Sequence, residues 1–328
     1  DSLSPPSVCY AGQAKCFFGE RGVLEPVRGM TFMHGSARRV LLCMLLMLVG
    51  NVVPGAPRSV CRAAAGPDVL PAIRFSYPAV EDPTVTLGKY QRILDFMAEA
   101  VARPVSIVLR NSYAEIIRDL EQGNADMGIL NAFSYVEIVS RARLKPLARR
   151  VRAGRDTYQS YLIVRENAGI SRYADLRGKV IALPDSHSTT GYLLPRLMLH
   201  RHRLDLPRDF AQVLFVGKHD STAMAVANGT AHAGALASYI YEELDPAIRA
   251  KLDILDLSEP VPFGPVAART ALGGPLLERI RLFFLALNRS PQGQSMLRDA
   301  RLTGFTAAKD EDYAPIRALV RRLQEVAP

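Results

Sequence analysis

The feature that most limits the fold of this chain is a regular alternation of strand and helix patterns from about residue 70 to residue 325. Short runs of β-branched and aromatic residues alternate with longer segments whose apolar residues recur at helical spacing. We predict strands at 72–77, 105–109, 126–130, 158–164, 179–183, 212–216 and 233–237, and helices at 90–102, 113–122, 134–141, 191–202, 221–228, 276–287 and 315–326. This alternation predicts an α/β fold with open, mostly parallel sheets flanked by helices, and the length favours two sheets of about five strands.

The first 65 residues have a different character and are predicted to lie outside this fold. An apolar run, Val40–Val53, follows the basic pair Arg38-Arg39 and precedes the small residues Ala63-Ala64-Ala65-Gly66. This order is typical of a secretory signal peptide, and the run is too short to cross a bilayer of about 30 Å as a helix. We interpret residues 1–29 as an upstream extension and residues 30–65 as a signal peptide, and we expect a periplasmic protein.

All the cysteines lie in that amino-terminal part, at Cys9, Cys16, Cys43 and Cys61. This distribution excludes a disulfide framework, a cysteine-based zinc site and a catalytic thiol in the remainder of the chain. Cys61 follows Arg58-Ser59-Val60, which is a poor lipidation signal, so we do not expect a lipid anchor. The sequence also lacks the common nucleophile-elbow, phosphate-loop, dinucleotide-binding and zinc-protease motifs, and we therefore expect no enzyme, no cofactor and no metal ion.

Basic residues give the chain a formal net charge of +9 and cluster between residues 141 and 155. A nucleic-acid interface would need interleaved aromatic residues or a recognition helix, and the cluster has neither. We therefore predict no nucleic-acid partner and interpret 141–155 as a solvated connector between two lobes. A modest positive balance also suits a small anionic ligand.

The strongest local motif places three hydroxyl groups, Ser188, Thr189 and Thr190, between a strand and a helix that starts near Gly191. The first turn of a helix offers free N–H groups and a partial positive charge, and rotatable hydroxyls add further donors. An ordinary helix cap needs only one such hydroxyl, so three in a row favour an anion site.

Other polar and aromatic residues also stand where predicted strands end. His219 follows the strand at 212–216, and open α/β sheets bind ligands at the carboxyl ends of their strands. Tyr113 and Asn131 stand before or at the start of two predicted helices, and Tyr77 ends the first strand. Each of these signals is weak alone, because a lone histidine is more often a surface residue and aromatic residues at helix starts usually pack.

In combination these segments resemble the periplasmic phosphonate-binding proteins of ABC transporters, a branch of the type 2 periplasmic binding proteins. The resemblance covers about residues 70–325. It rests on Ser188-Thr-Thr-Gly-Tyr-Leu-Leu-Pro195 and His219-Asp-Ser-Thr-Ala-Met-Ala-Val226, supported by Tyr113-Ala-Glu-Ile-Ile117 and Gly123-Asn-Ala-Asp-Met-Gly-Ile-Leu130.

The resemblance implies a two-lobed "Venus flytrap" that holds a small oxyanion in the cleft between its lobes. It implies that the Ser188, Thr189 and Thr190 hydroxyls hold the phosphonate oxygens, that His219 donates from the same lobe, and that Tyr113 reaches in from the other lobe. Family members often have an aromatic residue where this chain has Leu130, and we expect Asn131 to replace that contact.

The resemblance also bears on which anion is bound. Relatives that bind aminoalkylphosphonates are expected to place carboxylates around the ammonium group, at positions that correspond to Tyr239 and, less securely, Gly264. Neither residue can neutralise an ammonium group, although Glu242 or Glu243 could compensate. We therefore predict phosphate, phosphite or a short alkylphosphonate. Our set of candidate ligand-binding residues is Ser188, Thr189, Thr190, His219, Tyr113, Asn131, Tyr239 and Tyr77.

For the domains we predict one lobe from 69–153 plus 262–328 and a second lobe from 154–261. The crossings near Arg155–Tyr158 and Pro260–Val266 would act as the hinge. The expected partners are the oxyanion and a membrane permease of the ABC type, with the protein itself a monomer. Two alternatives remain open from sequence: a periplasmic ligand sensor for a histidine kinase, and an enzyme that acts on a phosphorylated small molecule on the same scaffold.

Overall fold

The computed structural model describes residues 70–78 and 83–326. The chain divides into a unit of residues 1–66 and a unit of residues 67–328, and every described residue belongs to the second unit. The predicted upstream extension, the predicted signal peptide and Cys61 lie outside the described residues. No helix in the described part of the chain has the length and apolar character that a membrane span requires.

Strands and helices alternate along the described chain, as the sequence predicts. The strands are β1 (Ile73–Pro78), β2 (Val105–Arg110), β3 (Met127–Ile129), β4 (Leu144–Val151), β5 (Thr157–Tyr158), β6 (Ser160–Arg165), β7 (Val180–Leu183), β8 (Gln212–Phe215), β9 (Ala233–Ala237), β10 (Leu252–Leu257), β11 (Val261–Pro262), β12 (Pro265–Arg269) and β13 (Gly304–Ala307). The α-helices are α1 (Pro83–Val101), α2 (Tyr113–Gln122), α3 (Ala132–Ile138), α4 (Leu194–Arg201), α5 (His219–Ala227), α6 (Ser238–Glu243), α7 (Pro246–Arg249), α8 (Gly274–Ala286), α9 (Pro291–Asp299) and α10 (Ala314–Val326).

The first sheet has six strands in the order β13-β4-β12-β3-β1-β2. Strands β2 and β3 run parallel to β1, whereas β12 runs antiparallel to both β3 and β4, and β13 runs antiparallel to β4. Because of these directions, β1, β3 and β4 end at the edge where β12 begins. The register shows this directly, since Ile129 at the end of β3 pairs with Val266 and Arg149 near the end of β4 pairs with Pro265.

The second sheet has five strands in the order β10-β6-β9-β7-β8. Strands β8 and β9 run parallel to β7, and β6 runs antiparallel to both β9 and β10. The carboxyl ends of β7 and β9 therefore lie at the same edge as the start of β6. The two segments that we predict as hinge crossings pair with each other, because β5 and β11 form a separate two-stranded antiparallel sheet.

The helix that follows β2 illustrates how local sequence sets these elements. The Ser112 hydroxyl accepts a hydrogen bond from the Glu115 N–H and caps the start of α2. Gly123 ends the helix with a φ of 76°, a left-handed conformation that glycine adopts without a side-chain clash. The apolar face between these caps buries Ile116 and Leu120 completely, so the amphipathic pattern of the sequence matches the packing.

The α/β class is confirmed, but two details of the prediction are wrong. The sheets are mixed rather than mostly parallel, because β12 and β13 return from the last third of the chain and pair antiparallel with β4. The basic segment 141–155 is not a solvated connector, since its residues 144–151 form β4 within the first sheet. Leu144 and Leu147 are buried there, and a bulge opposite Val266 and Ala267 adjusts the register around Pro146.

Candidate ligand-binding site

The carboxyl edges of the two sheets are joined by hydrogen bonds. The Asn131 Nδ2 atom donates to the His187 carbonyl at 3.0 Å, and the Thr189 hydroxyl donates to Asn131 Oδ1 at 2.8 Å. The Tyr113 N–H donates to an Asp185 carboxylate oxygen at 3.0 Å. We call this region the inter-sheet junction, and it brings together residues that are far apart in sequence.

The hydroxyl row lies inside this junction and is almost completely buried. Ser188 is 1 % exposed, and its hydroxyl accepts the Gly191 N–H at 3.0 Å, so that Ser188 caps the helical segment that begins at Thr189. Gly191 is required at its position, because a Cβ there would lie 2.1 Å from Pro184 Cγ. One hydroxyl therefore acts as the cap, and the rotatable hydrogen of the same group remains available as a donor.

Thr189 and Thr190 have additional partners. The Thr189 hydroxyl accepts the Phe133 N–H at 2.9 Å while it donates to Asn131, so it connects the two sheets directly. The Thr190 carbonyl accepts the Ser160 hydroxyl at 2.6 Å, which fixes the first helical turn against β6. The row is consequently held in place by neighbours from both sheets.

His219 begins α5 and contributes a neutral donor. Its Nδ1 atom accepts the Ala237 N–H at 3.2 Å, which places the ring proton on Nε2, and Nε2 lies 3.5 Å from the Ser188 hydroxyl. Burial lowers the pKa of His219 to about 4, so the imidazole is uncharged at neutral pH. The structure thus brings His219 and Ser188 together, as the resemblance implies.

Tyrosines close the junction around the hydroxyl row. Tyr158 is buried, and the side chains of Thr189 and Thr190 are among the neighbours that act on the pKa of its hydroxyl. Burial, with a smaller contribution from the nearby Tyr239, raises the pKa of Tyr158 to about 12. Burial likewise raises the pKa of Tyr113 well above its usual value, so both rings present neutral hydroxyl groups.

Two of the predicted residues, Tyr77 and Tyr239, lie around an arginine that we did not predict. Arg150, on β4, is 9 % exposed, and its Cζ atom lies 5.2 Å from the centroid of the Phe263 ring. The electrostatic neighbours of its guanidinium include Tyr77, Tyr90 and Tyr239. The Tyr77 and Tyr90 ring centroids are 4.5 Å apart.

The positions that could have neutralised an ammonium group do not offer a carboxylate. A Cβ on Gly264 would lie 2.1 Å from the Leu130 carbonyl oxygen, so no side chain fits there. Glu243 forms salt bridges with Arg152 and Arg301, and Glu242 is exposed.

All eight candidate ligand-binding residues therefore lie at or beside the inter-sheet junction. Sequence reasoning missed Arg150, Tyr158 and Phe263. Arg150 belongs to the basic cluster 141–155, which the sequence analysis interprets as a solvated connector. Tyr158 and Phe263 belong to the two predicted crossings, where their rings stack at 4.5 Å with an interplanar angle of 6°. An aromatic residue in each crossing is the sequence signal that could have identified them.

A further pair at the junction joins a histidine to a carboxylate. His187 Nδ1 lies 3.0 Å from a Glu137 carboxylate oxygen, and this hydrogen bond raises the pKa of His187 above its ordinary value. Within residues 70–78 and 83–326, no group of three or more histidine, cysteine, aspartate or glutamate side chains is arranged to hold a metal ion. The donors of the junction are instead hydroxyl, imidazole and backbone groups, which suit an oxyanion.

Solved structures share this fold. The binding-protein component of an ABC phosphonate transporter from Pseudomonas aeruginosa has a TM-score of 0.73 and 24% identity, over 77% of this chain and 87% of that one. PhnD1 from Prochlorococcus marinus, solved in complex with methylphosphonate, has a TM-score of 0.71 and 16% identity, over 78% of this chain and 99% of that one.

Sequence comparison agrees with the structural likeness. The phosphonates-binding periplasmic protein of Escherichia coli is 26% identical over 268 residues, which cover 78% of each chain. The phosphate-import protein PhnD of Mycolicibacterium smegmatis is 25% identical over 256 residues, which cover 70% of this chain and 79% of that protein. The family described as "ABC transporter, phosphonate, periplasmic substrate-binding protein" matches residues 75–313. The chain therefore belongs to the family of periplasmic substrate-binding proteins of phosphonate ABC transporters.

Proposed function

We propose that this solute-binding protein captures a small phosphorus oxyanion at the inter-sheet junction and delivers it to an ABC-type permease. The observation on which this rests is the buried row of Ser188, Thr189 and Thr190 beside the neutral Nε2–H of His219. Neutral hydroxyl, imidazole and helix N-terminal donors bind an oxyanion without a formal counter-charge. Two relatives are named for phosphate import and for phosphonate binding.

Within this class, the preferred ligand is phosphate, phosphite or a short alkylphosphonate, and it has no amino group. Gly264 admits no side chain, and Glu243 is held by two arginines. An ammonium group buried here would lack a carboxylate partner from either position, at a cost of several kcal/mol.

Calorimetric titration with phosphate, phosphite, methylphosphonate and sulfate tests this proposal. At least one of the three phosphorus anions should bind more tightly than sulfate. Affinity for 2-aminoethylphosphonate should be at least ~10-fold weaker than for the best ligand, a difference of ~1.4 kcal/mol. Failure of all three phosphorus anions to bind would contradict the proposed function. The tightest binding by the aminophosphonate would contradict the argument from Gly264 and Glu243 alone.

Ligand capture on this scaffold would proceed by closure of two lobes. The lobes would be 69–153 plus 262–328 and 154–261, with the paired strands β5 and β11 at the crossings. Support comes from the division of the strands between two sheets along the same boundaries. Hydrogen bonds such as that of Thr189 to Asn131 would form on closure. Small-angle scattering should show a smaller radius of gyration at saturating ligand, and identical curves with and without ligand would contradict closure.

Export by the predicted signal peptide, a monomeric state and the absence of catalysis complete the proposal. Recovery of the protein from the secreted fraction would test export, and the mass of that protein in ultracentrifugation would test the monomeric state. Incubation with a phosphonate or a phosphate ester, followed by ³¹P NMR, would test the third, since a binding protein returns its ligand unchanged.

A further inference from the structure

Arg150 is the unusual charge of the inter-sheet junction, because it is buried while the nearby Arg149 and Arg152 are paired with carboxylates. Strand β4 ends at the edge of the first sheet that faces the junction, and Arg150 is the next-to-last residue of that strand. Its guanidinium lies over the ring of Phe263, which also stacks on Tyr158. Arg150 therefore lies against an aromatic pair of which one member, Tyr158, neighbours Thr189 and Thr190.

Two neighbouring arginines in this segment, Arg149 and Arg152, are paired with carboxylates. Arg149 forms hydrogen bonds with Asp156 at 2.6 and 2.9 Å and with Asp312 at 2.7 Å. Arg152 pairs with Glu243. Alternation along a strand sends the side chains of Arg149 and Arg150 to opposite faces, and the acidic partners lie on the Arg149 side.

The groups around Arg150 supply no formal negative charge from the described residues. Its electrostatic neighbours are Tyr77, Tyr90 and Tyr239, and burial raises the pKa of Tyr77 well above its usual value, so that this hydroxyl stays neutral. The Nε atom of Arg150 has no hydrogen-bond partner among the described residues. An arginine keeps its charge in proteins, and a buried charge without a counter-ion is costly, so the position is explained if a ligand supplies the anion.

The two sides of the junction would then recognise different parts of one ligand. The hydroxyl row and His219 belong to the second sheet and offer neutral donors for the phosphonate head. The side of the first sheet has Arg150, Tyr77 and Tyr90. These residues would surround the tail that extends from the phosphonate head. We propose that Arg150 is a specificity-determining residue whose guanidinium pairs with an anionic group at the far end of the ligand, so that the site takes carboxylated phosphonates in preference to aminophosphonates. This inference rests on the proposed function.

A set of ligands that differ only in the charge of the tail tests it. Phosphonoacetate has an anionic tail, propylphosphonate an uncharged tail and 2-aminoethylphosphonate a cationic tail, while methylphosphonate reports on the head alone. In calorimetric titrations, the wild-type protein should bind phosphonoacetate at least ~10-fold more tightly than 2-aminoethylphosphonate, with propylphosphonate between them. In the R150Q variant the three affinities should come within ~3-fold of one another, whereas R150K should keep the wild-type order.

Controls separate the loss of a local charge from other effects. The variant K145Q removes an exposed positive charge from the other end of β4 and should bind all four ligands as the wild-type protein does. R150Q should unfold cooperatively at a temperature no lower than that of K145Q by more than a few degrees, because it removes a buried charge that lacks a counter-ion. Glu81 and Asp82 lie outside the described residues, and the variant E81Q/D82N should retain the preference for the anionic tail.

Several results would overturn the inference. Equal affinities for the three tails in the wild-type protein, or an unchanged order in R150Q, would show that Arg150 does not recognise the tail. Uniform weakening of all ligands in R150Q, methylphosphonate included, would place Arg150 on the head instead. A wild-type preference for 2-aminoethylphosphonate that is lost in E81Q/D82N would assign recognition of the tail to those carboxylates instead. If phosphate, phosphite and methylphosphonate all fail to bind the wild-type protein, the proposed function itself fails, which is a distinct result.

Discussion

The two sides of the inter-sheet junction differ in the groups that they would offer to an anion. The second sheet presents neutral donors that already have protein partners: Ser188 caps a helix, and His219 is fixed by a backbone N–H. The first sheet presents a formal charge, Arg150, among tyrosine side chains. Neutral donors cost little to bury when they are hydrogen-bonded, whereas a guanidinium is costly until an anion arrives.

This difference has a consequence for recognition. Dipoles and hydroxyls that are satisfied in the protein select an oxyanion by geometry, and they discriminate weakly by net charge. A single buried guanidinium discriminates strongly between an anion and a cation and is less demanding about shape. The neutral side therefore suits the constant part of a ligand, and the charged side suits the variable part.

The largest expected effect tests the neutral side. The double variant S188A/T189A should weaken binding of the best phosphorus oxyanion by roughly 2–4 kcal/mol. The lost Ser188 donor to the anion and the lost Thr189 hydrogen bond are each worth about 1–2 kcal/mol. Because Thr189 donates to Asn131 across the junction, its share of the loss would come from a weaker closed form. Calorimetry is the measurement. The exposed hydroxyl of Ser186 provides the matched control S186A, and unchanged affinity in a folded double variant would remove the hydroxyl row from the site.

A second prediction uses the titration of His219. The pKa of this imidazole is about 4 in the folded chain. Between pH 6.5 and 4, His219 is therefore protonated in the unfolded chain and unprotonated in the folded chain. Stability is thus complete above pH 6.5 and falls as the pH approaches 4, by roughly 3 kcal/mol in total. Urea unfolding at pH 7 and pH 4 should show that the wild-type protein loses more free energy of unfolding than H219Q does. Equal losses would mean that His219 is accessible to protons.

The neutral side could be predicted from sequence because its signals are local. Ser188 to Gly191 lie next to one another, and their order of hydroxyls and glycine between a strand and a helix is readable without a structure. The position of His219 directly after a predicted strand is a local signal of the same kind. The pattern of β-branched strands and amphipathic helices likewise predicted the α/β class, since each element buries its own apolar face.

The charged side could not be predicted because it depends on pairing across long sequence distances. Whether β4 is a strand depends on β12 and β13, which lie more than 100 residues later and satisfy its backbone on both sides. Without these partners, the run around Arg149 and Arg150 has the composition of a surface segment. The direction of each arginine side chain follows only from the register of β4. The register therefore also decides that Arg150 is buried and that Arg149 is paired with carboxylates.

A third prediction sharpens the contrast between adjacent arginines. The variant R149Q leaves Asp156 and Asp312 without their shared partner, and it should lower the free energy of unfolding by about 1–2 kcal/mol, because the pair is only partly buried. Its preference for an anionic ligand tail should equal that of the wild-type protein. Chemical denaturation and the tail-charge titrations measure the two effects. A changed tail preference in R149Q would show that the two arginines act as one charged patch.

The smallest expected effect concerns His187, whose pKa shift is opposite in sign to that of His219. The hydrogen bond with Glu137 raises the pKa of His187, so the stabilisation is complete below pH 6.5 and is lost as the pH rises through the raised value. Both side chains are partly exposed, which limits the effect to about 1 kcal/mol or less.

Unfolding at pH 5.5 and pH 8.5 should therefore show a larger stability difference between wild type and E137Q at the lower pH. Because Glu137 belongs to α3 beside the first sheet and His187 to the loop after β7, this pair spans the junction as the Thr189–Asn131 bond does. If E137Q instead loses most stability at pH 8.5, the pair is not ionic, and the Asp185 carboxylate that accepts the Tyr113 N–H would remain as a charged group in the bonds across this edge.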